Sequence, residues 1–198
     1  MFRTDDNSIY NLLDFLRRAE GLKSTLRTTW TRNGRQESTA EHSWRLCLLA
    51  MLVSHNYPEL DALKILQLCI IHDLGETING DIPAPEQVGA SKEKEEQERT
   101  DMLDLLRPLP AELQQELMGL WEEYEYAKTP EARIVKALDK LETLLQQTQG
   151  LNPPDFDYKF NLGYGVKYTR VDEFISGLRD IIDEETEGCV LARGDDLG

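Results

Sequence analysis

Apolar residues recur at helical spacing through nearly the whole chain. Two such stripes are formed by Ile9, Leu12, Leu13 and Leu16, and by Leu46, Leu49, Ala50 and Val53. The pattern predicts helices over residues 9–21, 39–56, 61–74, 91–106, 111–126, 130–149 and 171–183. The alternation of apolar and polar residues that is typical of a strand is absent. The sequence therefore predicts an all-α fold.

Local signals indicate where the helices begin and what separates them. We expect Ser38 or Thr39 to cap the second helix. Thr129 followed by Pro130 is also typical of a helix start. Residues 22–38 have too little apolar periodicity for a long helix, and glycines and prolines make residues 77–89 a loop. We expect both segments to be irregular connectors.

The length of the chain is typical of one domain. It has 198 residues, of which 40% are hydrophobic, and this is enough to bury a sizeable core. We expect the domain to span residues 1–183. The acidic residues 184–198 are expected to form a flexible C-terminal tail.

The chain is strongly acidic, with 22 basic and 37 acidic residues and a net charge of −15. Nucleic acids and anionic membranes attract basic surfaces, so neither is an expected partner. The longest apolar run is too short to cross a bilayer, and the N-terminus lacks the features of a signal peptide. The sequence therefore predicts a soluble, cytoplasmic protein. A phosphate ester remains admissible as a ligand, because a bound metal can dominate the local field.

Two of the three histidines stand beside carboxylates: His42 follows Glu41, and His72 precedes Asp73. Asp73 comes at the end of an apolar helix, where the helix dipole disfavours an acid and a cation would compensate for it. Asp139 falls close to the face of its helix that should be buried, where a carboxylate is costly unless it is paired or metal-bound. Two imidazoles and two carboxylates suit one divalent transition metal ion, Mn, Co, Fe, Ni or Zn, better than calcium.

Each of these residues also has a simpler interpretation when taken alone. A single histidine on an apolar helix is more often a core residue than a ligand, and His55 has nothing near it that indicates chemistry. Asp139 could simply pair with Lys136 or Lys140. The combination of residues in this order on helices is what favours a metal centre.

Two more acids follow the His-Asp pair. Glu76 is four residues after His72 and shares its helix face if the helix continues, which suits an acid–base role. Asp81 lies in a Gly-Asp-Ile-Pro loop, and we expect an acid in such a loop on a helical scaffold to be functional.

These motifs resemble the HD-domain superfamily of metal-dependent phosphohydrolases, and in finer detail its 5′-deoxynucleotidase branch. The matching segments are LRTTW at 26–30, EHSWR at 41–45, IIHDLGETINGDIPAP at 70–85, LWEEYE at 120–125 and VKALDKLE at 135–142. The resemblance covers roughly residues 8–183. It implies a single all-α HD-domain bundle, usually a homodimer, that removes the 5′-phosphate from deoxynucleoside monophosphates.

The resemblance also implies roles for single residues. The metal ligands would be His42, His72, Asp73 and Asp139. Glu76 would be the catalytic acid–base or water-orienting group, and Asp81 would hold and activate the attacking water near the sugar.

The substrate-binding residues are implied in the same way. Arg27 falls where the family has an arginine that clamps phosphate, a role suited to its bidentate fork. Thr28 follows it at a position where bacterial members have tryptophan, and Trp30 comes two positions later. The nucleoside side of the pocket would be lined by Ile82, Pro83 and Ala84.

Two other functions stay open at this point. The same site could hydrolyse another phosphate ester or a phosphodiester. Alternatively, the chain could be a non-catalytic helical module that binds partners through its acidic segment 91–99. The presence of Glu76 and Asp81 beside the ligand set favours an enzyme, because a binding module needs neither.

Overall fold

The protein is built from helices, as predicted, and a computed structural model describes residues 6–81 and 91–194. In chain order the elements are α1 (Asp6–Ala19), β1 (Leu26–Trp30), β2 (Gln36–Ser38), α2 (Thr39–Val53), α3 (Ala62–Ile71), α4 (Glu76–Asn79), α5 (Ser91–Leu106), α6 (Ala111–Glu125), α7 (Pro130–Gln149), α8 (Tyr158–Gly163), α9 (Val166–Thr169) and α10 (Glu173–Ala192). Short 3₁₀ turns follow α1 and α2.

Helix α7 lies at the centre of the fold and packs against α2, α3, α6, α9 and α10. Its start is fixed by local chemistry: the side chain of Thr129 accepts a hydrogen bond from the Ala132 amide, and Pro130 fills the first helical position. Because α7 is surrounded by other helices, its side chains can contact residues that come from several of them.

The start of α2 is also fixed by its own sequence. The side chain of Ser38 accepts a hydrogen bond from the Glu41 amide, and the Ser38 amide donates to the Glu41 carboxylate at 2.9 Å. This capping box confirms the predicted helix start. It places His42 in the first turns of α2, close to the end of β2.

Residues 22–38 are not simply irregular, as predicted from the sequence, because β1 and β2 pair as a two-stranded antiparallel sheet. Leu26 pairs with Ser38, and Trp30 pairs with Gln36. Along β1, Arg27 and Thr29 are buried, whereas Leu26 and Thr28 are exposed. The alternation of a strand is present, but its buried positions are polar because they face the site described below. A search for alternating hydrophobic residues therefore could not detect strand β1.

Two hydrophobic clusters hold the helices together. The larger one joins α2, α3, α7 and α10 through residues such as Leu46, Leu68, Leu138 and Ile175. The smaller one joins α5 and α6 to the end of α3, with Met102 and Trp121 among its buried members. None of the helices in the described residues is long and apolar enough to span a membrane.

The last helix is longer than predicted, because α10 continues to Ala192 instead of ending at residue 183. Thr186 and Val190 are buried on its inner face. Arg193, just after the helix, donates hydrogen bonds to the carbonyl oxygens of Pro153 and Pro154, both at 2.7 Å. The prediction of a flexible tail from residue 184 is therefore wrong for residues 184–192, since packing holds this acidic segment against the domain.

Candidate metal centre

Four side chains predicted as metal ligands lie together where three helices meet. His42 comes from the start of α2, His72 and Asp73 from the end of α3, and Asp139 from the middle of α7. The Nε2 atom of His42 lies 3.1 Å from Asp139 Oδ1 and 3.7 Å from Asp73 Oδ2. The Nε2 atom of His72 lies 3.0 Å from Asp73 Oδ2 and 3.9 Å from Asp139 Oδ1. Two nitrogen and two oxygen atoms therefore converge on one small volume.

The hydrogen bonds of the two imidazoles leave their Nε2 atoms directed at this volume. His42 donates from Nδ1 to a carboxylate oxygen of Glu142, and His72 donates from Nδ1 to the carbonyl oxygen of Cys69 at 2.9 Å. Both Nε2 atoms are buried and have no hydrogen-bond partner among the described residues. Metal-binding histidines commonly hold their other ring nitrogen in this way. The donor set fits a divalent transition metal ion.

A second group of possible ligands lies on the other side of the same ring, where Glu37 and Glu142 approach His42. Both acids already have partners. Glu37 accepts a hydrogen bond from Thr29 at 3.0 Å, and Glu142 is bound by His42 and by the guanidinium of Arg45. The Nε2 side is the better candidate, because both Nε2 atoms are buried there without a hydrogen-bond partner from residues 6–81 or 91–194.

The electrostatics of the site favour a cation. Burial and the charge of Arg27 act to lower the pKa of His42, but Glu142 and Asp139 outweigh them and raise it to about 10. Burial acts to raise the pKa of Asp73, yet the neighbouring histidines hold it well below its usual range. The pKa of Asp139 is likewise lowered, against the effect of burial, mainly by Lys140 and His42.

The converging ligands lie beside an open cleft with a volume of about 1090 Å³, and His72, Asp73 and Asp139 line it. Arg27 extends into the cleft from β1. Its Nη2 atom donates to the Thr143 hydroxyl at 2.9 Å, and its Nη1 atom lies 3.6 Å from Asp73 Oδ2. Burial acts to lower the pKa of Arg27, but Asp73 and the other acids around it raise it above its ordinary value. The guanidinium is therefore a fixed positive charge next to the candidate metal position.

Glu76 also lines the cleft, and its carboxylate accepts a hydrogen bond from the Thr39 hydroxyl at 3.1 Å. Burial, followed by the charges of Asp73 and Asp81, raises the pKa of Glu76 to about 10. Asp81 lies on the lining of the same cleft.

Thr28, which stands where bacterial members of the family have tryptophan, is exposed and lines the cleft beside Arg27. The three other residues expected to line the nucleoside side, Ile82, Pro83 and Ala84, lie outside the described residues. The structure thus brings every other predicted site residue to the cleft or directly behind it.

Comparison with known proteins agrees with this arrangement. The family model of the HD domain matches residues 19–179. The chain belongs to the HD-domain family.

Relatives of this HD domain include named enzymes. It is 33% identical over 144 residues to 5′-deoxynucleotidase HDDC2 of Dictyostelium discoideum, covering 69% of this chain and 75% of that protein. It is 38% identical over 141 residues to 5′-deoxynucleotidase HDDC2 of Bos taurus, covering 70% of this chain and 67% of that protein. The crystal structure of a predicted metal-dependent phosphohydrolase from Magnetospirillum magnetotacticum superposes with a TM-score of 0.80, 26% identity and 98% coverage of both chains.

The HD domain also contains site residues that the sequence reasoning missed. The hydroxyl of Tyr124 donates to Asp139 Oδ2 at 2.6 Å, and the Nζ atom of Lys140 lies 2.9 Å from the same oxygen. Asp139 therefore pairs with Lys140 and also lies at the candidate metal centre, so the two interpretations of this residue are compatible. Glu142 could have been suspected from its position one helical turn after Asp139. Nothing in the sequence pattern indicates that Tyr124 contacts Asp139.

Proposed function

We propose that the protein is a metal-dependent phosphohydrolase that removes the 5′-phosphate from deoxynucleoside 5′-monophosphates. The observation that supports this most directly is the pair of buried Nε2 atoms beside two carboxylates, next to a fixed arginine in an open cleft. Relatives named 5′-deoxynucleotidases support the choice of substrate.

The metal would be held by His42, His72, Asp73 and Asp139. A bound divalent ion supplies Lewis acidity, which activates water and polarises a phosphoryl oxygen. The ion identity is proposed only as a transition metal such as Mn, Co, Fe, Ni or Zn, because mixed imidazole and carboxylate ligands suit all of these.

Arg27 would bind the substrate phosphate. Its Nε atom lies 3.9 Å from a carboxylate oxygen of Glu37, whereas its Nη1 atom lies 3.6 Å from Asp73 Oδ2, on the side of the candidate ligand set, where it would donate to a phosphate oxygen. Its contacts with Thr143 and Asp73 fix the orientation of its planar fork. A phosphate placed between Arg27 and the ligand set would have the charge on its oxygens offset as the phosphoryl group transfers.

Glu76 and Asp81 would manage the protons of the reaction. Burial of Glu76 beside the cleft raises its pKa and favours the protonated form, so Glu76 would give its proton to the ester oxygen as the phosphorus–oxygen bond breaks. Asp81 would orient the attacking water and accept its proton. The products are the deoxynucleoside and inorganic phosphate.

We also propose that the protein is a cytoplasmic homodimer. One face of α2 exposes the apolar side chains Trp44, Leu48, Met51 and Leu52, which share that face by helical spacing. A second copy of the chain would cover this stripe, since contiguous exposed apolar residues often mark interaction surfaces.

The decisive experiment is a phosphate-release assay. Metal-free protein reconstituted with Mn, Co or Zn is given the 5′-monophosphates of deoxyadenosine, deoxycytidine, deoxyguanosine, thymidine and deoxyuridine, together with the ribonucleotides and a phosphodiester. We expect release from the deoxynucleotides that depends on the metal. Asp73→Asn should lose both bound metal and activity, whereas Asp14→Asn, on the exposed side of α1, should keep both.

Absence of phosphate release from every monoester with every metal would overturn the proposal. Release from the phosphodiester alone would indicate another hydrolase of the same family. Metal binding without any hydrolysis would indicate a binding module.

A further inference from the structure

Two amide side chains along the cleft carry polar atoms that no described residue pairs by a hydrogen bond. Asn161 is only 2% exposed, yet its Nδ2 atom has no hydrogen-bond partner among the described residues. The Oε1 atom of Gln147 is also buried without such a partner. Both residues line the cleft that contains Arg27 and the candidate metal ligands. A buried polar group without a partner is costly, so a donor and an acceptor here indicate a polar ligand.

The distance of Gln147 from the candidate metal centre suits a nucleotide. Asp139, Thr143 and Gln147 follow one another at four-residue spacing on α7, and all three line the cleft. Eight residues of α-helix span about 12 Å, so Gln147 lies about that far along the helix axis from Asp139. This is comparable to the distance from the phosphorus of a nucleoside monophosphate to the far edge of its base. Thr143, midway, already accepts the hydrogen bond from Arg27.

Aromatic side chains line the same part of the cleft. Trp30 reaches it from β1, and Phe156 and Phe160 reach it from the segment around α8. The rings of Trp30 and Phe156 meet edge to face, with centroids 6.3 Å apart. Aromatic rings beside amide groups are the combination that proteins use to stack a base and bond to its edge.

The wall formed by α8 is held rigidly from behind. Arg179 of α10 is fully buried and donates hydrogen bonds to the carbonyl oxygens of Asn161, Leu162 and Tyr164, at distances between 2.6 and 3.0 Å. Its Nε atom is paired with Asp183 at 2.7 Å. The backbone that presents the Asn161 side chain is thus fixed in place before any ligand binds.

We propose that this end of the cleft binds the nucleobase of the substrate, with Asn161 and Gln147 bonding to the edge of the base and Trp30 and Phe160 packing against its face. Every nucleobase carries a donor next to an acceptor on its edge, so the ligand class is a nucleobase in general. This inference rests on the proposed function and adds to it that the base, as well as the phosphate and sugar, is recognised.

The test compares substrates with and without a base. Kinetic constants are measured for the deoxynucleoside 5′-monophosphates and for 2-deoxyribose 5-phosphate, with the wild type and with Asn161→Ala, Gln147→Ala and Asn161→Asp. Each loss of a hydrogen bond should raise KM for the nucleotides about threefold to tenfold. KM for 2-deoxyribose 5-phosphate should not change. Calorimetric titration with deoxyadenosine alone should show the same weakening and does not depend on catalysis.

Matched controls are available on the same two helices. Lys159→Ala on α8 and Gln149→Ala on α7 change residues that do not line the cleft, so both should behave as the wild type. Should Asn161→Ala fail to fold, Gln147→Ala decides the question, because Gln147 is only half-buried.

Three results would overturn the base site. The wild type could hydrolyse 2-deoxyribose 5-phosphate as efficiently as the nucleotides, the cleft variants could leave nucleotide KM unchanged, or they could raise KM equally for both kinds of substrate. In each case phosphate release continues, so the proposed function would stand without this inference. If no monoester is hydrolysed, the proposed function fails, and loss of deoxyadenosine binding in the variants still decides the base site.

Discussion

The Nδ1 atom of His42 donates a hydrogen bond to Glu142, a buried carboxylate one hundred residues away in the sequence. The second oxygen of that carboxylate is bound by the guanidinium of Arg45, which also donates to the Glu142 carbonyl oxygen at 3.2 Å. The imidazole is therefore held in one orientation by a charged group that is itself fixed. Such a carboxylate aligns a histidine ligand and increases the basicity of its free nitrogen.

Changing Glu142 to Gln should weaken metal binding about 10- to 100-fold, because an amide orients the imidazole but no longer offsets its charge. The measurement is the dissociation constant of Mn or Zn by calorimetry on protein stripped of metal. Glu116→Gln on the exposed side of α6 serves as the control and should bind metal as the wild type does. An unchanged metal affinity in a folded Glu142→Gln protein would show that Glu142 is only structural.

Changing Arg27 to Lys should impair phosphate binding although the charge is kept. The guanidinium of Arg27 directs Nη2 to the Thr143 hydroxyl and Nη1 toward Asp73, and the single ammonium nitrogen of lysine cannot occupy both of these positions. We expect kcat/KM to fall at least about tenfold, and the inhibition constant of inorganic phosphate to rise, since a hydrogen bond to a charged group contributes about 1.5–3 kcal/mol. Arg32→Lys on the exposed turn of the hairpin should change neither quantity. Equal phosphate inhibition of Arg27→Lys and wild type would contradict the role.

The raised pKa of Glu76 predicts how stability depends on pH in protein stripped of metal. Because the folded state keeps this proton up to a pKa of about 10, whereas the unfolded chain loses it near the ordinary value of 4.5, the acid destabilises the fold increasingly between these values. Relative to Glu76→Gln, the free energy of unfolding of the wild type should therefore fall as pH rises from 5.5 to 7.5. The expected slope is at most about 1.4 kcal/mol per pH unit.

Denaturant titrations in the presence of a chelator measure this difference at each pH. Glu116→Gln, which removes an exposed glutamate, should show a constant difference from the wild type over the same range. A constant difference for Glu76→Gln as well would mean that Glu76 is ionised in the folded protein.

The sequence predicted those parts of the structure that depend on local signals. The capping box of Ser38 and Glu41 and the start of α7 at Pro130 can be read from neighbouring residues. The resemblance assigned Arg27 to the site, but its strand was missed because the inward-facing residues of β1 are polar. The contact between His42 and Glu142 joins distant segments and depends on how α2 packs against α7, so no local pattern contains it.

The exposed apolar stripe of α2 predicts the effect of charge on assembly. Trp44 is 66% exposed and Leu48 is 38% exposed, so glutamate at both positions can be solvated in the monomer, but it would be buried in a dimer formed through this face. The double change Trp44→Glu and Leu48→Glu should therefore turn a dimer into a monomer without lowering the melting temperature of the chain much. Size-exclusion chromatography with light scattering measures the mass, and Leu191→Glu on the exposed side of α10 should leave it unchanged. A dimer that survives the double change would mean that another surface joins the two copies, and a monomeric wild type would rule out the homodimer itself.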